Sequence, residues 1–229
     1  MERFGSRRTE LFFILESFIY INFFILDITR QEILLSGIFK YVGIFFCAVY
    51  VWSAKEAVSS WKQRIFKWIY GFLLVADCFL LFTENYLPGL FAFLCVQGLY
   101  SYYLSGRERK KMICQVVICL IITAFVLFLL LFFGVEIDVV LKTAIFYFSC
   151  FSYNLCKLLI SYHHNKEAVF LTIGFILYFL CDLNVGIYQA SSYLDFEMLN
   201  HMTKISGLGM WLFYLPGQVF IAYSAASEK

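Results

Sequence analysis

The sequence predicts an all-α protein: a polytopic membrane helix bundle of about eight transmembrane helices, with both termini cytoplasmic. Three observations carry this. Hydrophobic residues make up 62% of the 229 and charged residues only 15%, against roughly 45–50% and about 25% in soluble domains. Apolar runs near the ~20 residues that a bilayer core requires recur along the whole chain. Basic residues gather in alternate loops. No period-two barrel pattern occurs, and helices are the other way to satisfy backbone polar groups in lipid. Residues 1–229 read as one domain. A net charge of +2 gives no footprint for nucleic acid or a strongly anionic partner.

The expected spans are 9–28, 33–54, 65–83, 87–105, 112–134, 137–161, 168–190 and 205–225. The first follows Arg3, Arg7 and Arg8, as in a signal peptide. Its apolar run is too long for one, contains Glu16 and lacks a small-residue cleavage site, so it reads as a retained helix. The second carries Lys40. The third holds "LLVADCFLLF", with Asp77 at its centre, and the fourth holds Gln97. The fifth is apolar all round except for Gln115, and is expected to be the most lipid-exposed. The sixth carries Asn154, with Lys142 and Lys157 near opposite ends, where their stems can snorkel to the interface. The seventh contains Asp182 and Asn184, and the eighth Gln218. Short connections predict that sequential helices pack antiparallel.

The loop charges fix the orientation. One side carries the N-terminal arginines, then Lys55, Lys62 and Arg64, then "GRERKK" at 106–111, then Lys166 beside His163 and His164 in a loop. The other carries Glu84, then Glu136 and Asp138, then Asp195 and Glu197. The basic side is cytoplasmic and the helix count even. The adjacent histidines lack the i, i+4 spacing of a helical metal pair. Trp52, Trp61, Trp68 and Tyr70 read as interfacial belt residues. All eight cysteines fall in apolar runs without a CxxC pair, as small buried hydrophobes facing helix neighbours.

Charged groups inside a membrane are expensive and tend to face a bundle interior or a watery cavity. Glu16, ~10 Å from the start of its run, lies where its side chain can still reach the interface. Asp77 and Asp182 lie ~18 and ~21 Å from the cytoplasmic starts of their helices, so their depths match. Lys40 enters from the outer side to ~10 Å, and Gln97 and Gln218 fall near mid-membrane. Two carboxyls converging in a low-dielectric cavity cannot easily both ionise, which leaves an acid beside a carboxylate. General acid–base catalysis uses that arrangement. Lys40 could pair with one of them. The plainer reading makes each acid a helix–helix fastener.

Helices 3 and 4, "GFLLVADCFLLFTENYLPGLFAFLCVQGLYSYYL", resemble the YhhN family of membrane proteins, which includes the lysoplasmalogenases. Gly71, Asp77, Gly89, Leu90, Ala92, Phe93 and Tyr100 match its first motif. Gly174 and Asp182 match the second; Tyr214, Gln218, Ile221 and Ser224 match the last; Lys40 stands where the family often has Lys-Pro. Gln97 replaces the usual His, Ala76 and Cys181 stand before the two aspartates, and Tyr41 follows Lys40. The resemblance implies hydrolysis of the vinyl-ether bond of a lysoplasmalogen by Asp77 and Asp182. Lys40, Gln97, Tyr100, Tyr214 and Gln218 would bind the substrate, with no metal or organic cofactor. The partners it implies are a lysophospholipid and membrane lipid, and homo-oligomer formation stays open. The loop-poor build suggests a bacterial inner or plasma membrane. Two other functions suit intramembrane acids: a proton-coupled transporter and a non-catalytic lipid-binding relative.

Overall fold

The computed structural model describes residues 2–29, 32–54, 60–83, 85–164, 169–190 and 197–227. Lys55, Glu84, Lys166 and Asp195 lie outside these residues. So do the side chains of Arg3, Glu197, His163 and His164. The described residues form eight helices: α1 (Glu2–Thr29), α2 (Ile33–Trp52), α3 (Ser60–Phe82), α4 (Tyr86–Leu104), α5 (Arg109–Phe132), α6 (Val139–His164), α7 (Val169–Ala190) and α8 (Glu197–Ser227). No strand occurs among the described residues. Each expected span falls on one helix. His163 and His164 end α6 rather than lying in a loop.

Among the described residues, seven helices, α1 to α7, are long and apolar enough to cross a membrane. The eighth expected span lies within α8, where Gly207, Gly209, Pro216, Gly217 and Gln218 dilute the apolar character.

Helix ends follow local chemistry. The Asp138 carboxylate accepts a 2.7 Å bond from the Leu141 backbone N–H and opens α6. Gly134 follows the end of α5 at φ 75, a left-handed turn that glycine makes without strain. Pro216 sits inside α8 and cannot donate to the carbonyl of Leu212 four residues back. The Tyr20 hydroxyl of α1 donates to that carbonyl instead, at 3.3 Å. On the basic side, the Arg8 guanidinium donates to the Tyr50 and Ser53 carbonyls at the end of α2. That position complements the negative end of the helix.

The packing departs from simple sequence order. Helices α1, α2, α3, α4, α6, α7 and α8 form a closed cycle of packed neighbours, with α8 returning to α1 and α2. Helix α4 packs on α6, not chiefly on its successor α5. Helix α5 lies outside, against α6, and is the least buried of the seven spans at 17%. Most of its apolar circumference is left uncovered by the other helices. Small residues allow the closest approaches. A Cβ at Gly174 of α7 would lie 2.7 Å from the Gly217 carbonyl oxygen of α8. One at Gly89 of α4 would lie 3.1 Å from the Ala76 carbonyl oxygen of α3.

Two expectations need correction. Tyr70 is fully buried and donates a 2.7 Å bond to the Gln218 carbonyl, so it belongs to the core and not to an interfacial belt. Of the eight cysteines, all unpaired thiols, only Cys47, Cys119 and Cys181 are buried; Cys78, Cys95, Cys114 and Cys156 are exposed. Lipid is an apolar solvent, so a thiol there needs no protein neighbour.

Candidate functional site

Asp77 is 3% exposed on α3, and its Oδ2 accepts a 2.9 Å bond from the Tyr214 hydroxyl of α8. Asp182, on α7, accepts a 2.6 Å bond at Oδ2 from the Tyr147 hydroxyl of α6. The Tyr147 oxygen also lies 3.1 Å from the Tyr178 hydroxyl of α7. A tyrosine has one hydroxyl hydrogen. When Tyr147 gives it to the carboxylate, Tyr178 must donate to Tyr147, making a two-step relay that ends on Asp182.

The two carboxylate sets meet through rings. Tyr178 and Tyr214 pack edge to face at 5.5 Å. Phe93 of α4 backs the relay, 5.8 Å from Tyr147 and 6.4 Å from Tyr178. The buried thiol of Cys181 lies within electrostatic range of both Asp77 and Asp182. The site is thus assembled from α3, α6, α7 and α8. The Gly174–Gly217 approach sets the separation of the last two. Gly217 also lies against the Tyr178 backbone, where an added Cβ would come 3.0 Å from its nitrogen.

The chain was compared with protein-family models, curated proteins and solved structures. It matches none of them. The chemistry must therefore be read from the side chains themselves.

The other sequence-predicted residues separate into three groups. Lys40 does not pair with either central aspartate. Its ammonium sits 2.8 Å from Asp27 Oδ2 and 3.0 Å from Oδ1, and Ser36 also donates to Asp27. Asp27 lies at the edge of the first apolar run, where depth alone did not mark it. Lys40 approaches Asp77 only indirectly: its ammonium lies 5.1 Å from the Trp211 ring, and Trp211 packs on Tyr214 at 5.2 Å.

Gln97 joins an amide network between α4, α5 and α6. Asn154 Nδ2 donates to Gln97 Oε1 at 3.0 Å and to its carbonyl at 3.1 Å. Gln115 Nε2 donates to Asn154 Oδ1 at 2.8 Å and to Ser101 Oγ at 2.7 Å. This network, and not Asp77, is what Gln97 bonds. Tyr100 and Gln218 form the third group. Both are fully buried, and the Tyr100 hydroxyl and both Gln218 amide atoms have no hydrogen-bond partner among the described residues.

Sequence reasoning missed Tyr147, Tyr178 and Asn154's central place. One signal was available. Tyr178 stands four residues before Asp182, which puts both on one helix face. Nothing local marks Tyr147.

Proposed function

We propose that this protein is a membrane-embedded hydrolase of lysoplasmalogen-type vinyl ethers, with Asp77 and Asp182 as its acid–base pair. One observation carries the reading: buried carboxyls from α3 and α7 each accept a tyrosine hydroxyl, and the two sets adjoin through the Tyr178–Tyr214 ring contact. The vinyl-ether substrate comes from the motif resemblance around Asp77, Asp182 and Tyr214.

The division of labour follows from the two surroundings. Asp77 is enclosed and holds one hydroxyl bond. It serves as the acid that transfers a proton to the vinyl β-carbon. Asp182 is less enclosed and receives the Tyr178–Tyr147 relay. As a carboxylate it stabilises the oxocarbenium ion and takes a proton from the attacking water. The hemiacetal then collapses to a fatty aldehyde and a glycerophospho-base. Proton transfer of this kind contributes typically ~10²–10⁴-fold.

The test is aldehyde release from lysoplasmalogen by the purified protein in lipid nanodiscs. Asp77→Asn and Asp182→Asn should each lower turnover by at least ~10²-fold while the protein stays helical and folded. Turnover that survives both substitutions would sink the assignment. Absence of turnover on every headgroup tried would sink the substrate class.

A further inference from the structure

We propose that Cys119 of α5 and Cys150 of α6 form a redox-active dithiol, a modification site inside the membrane span that an apolar hydroperoxide converts to an interhelical disulfide. The register of the two helices carries the inference. The buried residues of α5 are Gln115, Cys119 and Thr123, spaced so that they share one helix face. Gln115 donates to Asn154 of α6 at 2.8 Å, and Thr123 to Ser149 of α6 at 3.3 Å. Later residues of α5 thus meet earlier residues of α6, as in an antiparallel pair. One turn on from Gln115 and one turn back from Asn154 stand Cys119 and Cys150. Their thiols meet between the two flanking bonds, each the other's hydrogen-bond partner.

A buried thiol by itself is inert. Oxidation that ends in a disulfide needs one thiol within reach of the oxidant and a second poised to resolve the product. Cys150 is half-buried and Cys119 fully buried, which gives the first role to Cys150 and the second to Cys119. The side chains on this seam are Cys, Thr and Ser, small enough for the close helix approach that a disulfide requires. Both cysteines lie ~15–17 Å from the starts of their helices, near mid-membrane. Val116 and Leu120, on α5 beside Cys119, are exposed. The oxidant must therefore dissolve in lipid, as a hydroperoxide on an apolar chain does.

The Cys150 sulfur attacks the terminal peroxide oxygen. The S–O bond forms, the O–O bond breaks, and the thiol proton passes to the departing alkoxide, leaving a sulfenic acid and an alcohol. The Cys119 sulfur then attacks the Cys150 sulfur. The S–S bond forms, the S–O bond breaks, and hydroxide leaves with the Cys119 proton as water. The two thiols together lose two electrons, and the hydroperoxide gains them. The product ties α5, which lies outside the cycle of helices, covalently to α6.

Neither Asp77 nor Asp182 takes part, so the test does not depend on the hydrolase reading. The reduced full chain in nanodiscs of saturated phosphatidylcholine would receive one equivalent of cumene hydroperoxide. It would then be unfolded in detergent with N-ethylmaleimide, digested with trypsin and analysed by mass spectrometry. The untreated chain should take a label on each of its eight cysteines, and the treated chain two fewer. Fragments 112–142 and 143–157 should be joined, with fragment ions placing the link at Cys119 and Cys150. These fragments also hold Cys114 and Cys156. A Cys114→Ser, Cys156→Ser double variant should therefore keep the link, and Cys119→Ser or Cys150→Ser should abolish it. The link in the parent chain decides the matter if a serine variant does not fold. No link at one equivalent, or a link through any other pair of cysteines, would overturn the proposal. So would equal loss of label at the other six positions.

Discussion

Replacing Asn154 by Ala should destabilise the bundle by about 2 kcal/mol. The residue is fully buried on α6. It donates twice to Gln97 and accepts once from Gln115. A fourth contact, to Ser101 Oγ at 3.0 Å, is shared, because Ser101 has one hydrogen and can also give it to the Gln97 carbonyl at 2.8 Å. Three firm bonds at the ~0.6 kcal/mol average for membrane side-chain pairs give roughly 2 kcal/mol. The amide of Gln97 and that of Gln115 would be stranded together, which raises the cost if neither can turn to another partner. The assay is equilibrium unfolding in mixed detergent micelles, followed by circular dichroism. Gln115→Ala and the double variant complete a cycle that isolates the pair from the cavity left behind. The cycle should show coupling of about 0.5–1 kcal/mol. An Asn154→Ala cost below about 0.5 kcal/mol, or no coupling to Gln115, would refute the network as a fastener of α4, α5 and α6.

Three further outcomes follow from the same structure. Gly174→Ala pushes a Cβ to within 2.7 Å of the Gly217 carbonyl oxygen and 3.0 Å of the Ile221 nitrogen. Backbone cannot swing aside, so thermal unfolding should show a loss of about 1–3 kcal/mol; Gly186→Ala, with open space around it, is the control and should cost nothing. Asp27→Asn leaves the Lys40 ammonium without its anion and should cost more than the double change Asp27→Asn with Lys40→Met, by ~1–3 kcal/mol in chemical denaturation. Tyr20→Phe leaves the Leu212 carbonyl without its donor and should cost up to about 1 kcal/mol. Adding Pro216→Ala restores a helix N–H to that carbonyl, so the Tyr20→Phe penalty should vanish in that background by the same denaturation measurement.

The spans were legible because the bilayer imposes a length and an apolar character that few other constraints disturb. The expected 33–54, 87–105 and 168–190 fall on Ile33–Trp52, Tyr86–Leu104 and Val169–Ala190. The lateral arrangement was not legible, because depth is a one-dimensional quantity. Asp77 and Asp182 match in depth, and both lie within electrostatic range of Cys181. Yet Lys40, at nearly the same level, turns to Asp27, and Gln97 turns to Asn154. Each of these choices depends on which helices touch, and α4 packs on α6 rather than chiefly on α5. Glu16 shows the other kind of loss. Its depth would have let the side chain reach the interface, but its face of α1 turns inward, where the carboxyl is buried and bonded by Cys47 of α2. A polar residue inside a membrane is therefore poorly read from its own helix. What decides between fastener and reactive group is how many of its polar atoms the neighbours satisfy. By that measure Lys40 is bound by its surroundings, while Asp77, Asp182 and Glu16 face partial sets of partners and are the groups around which chemistry or binding should be sought.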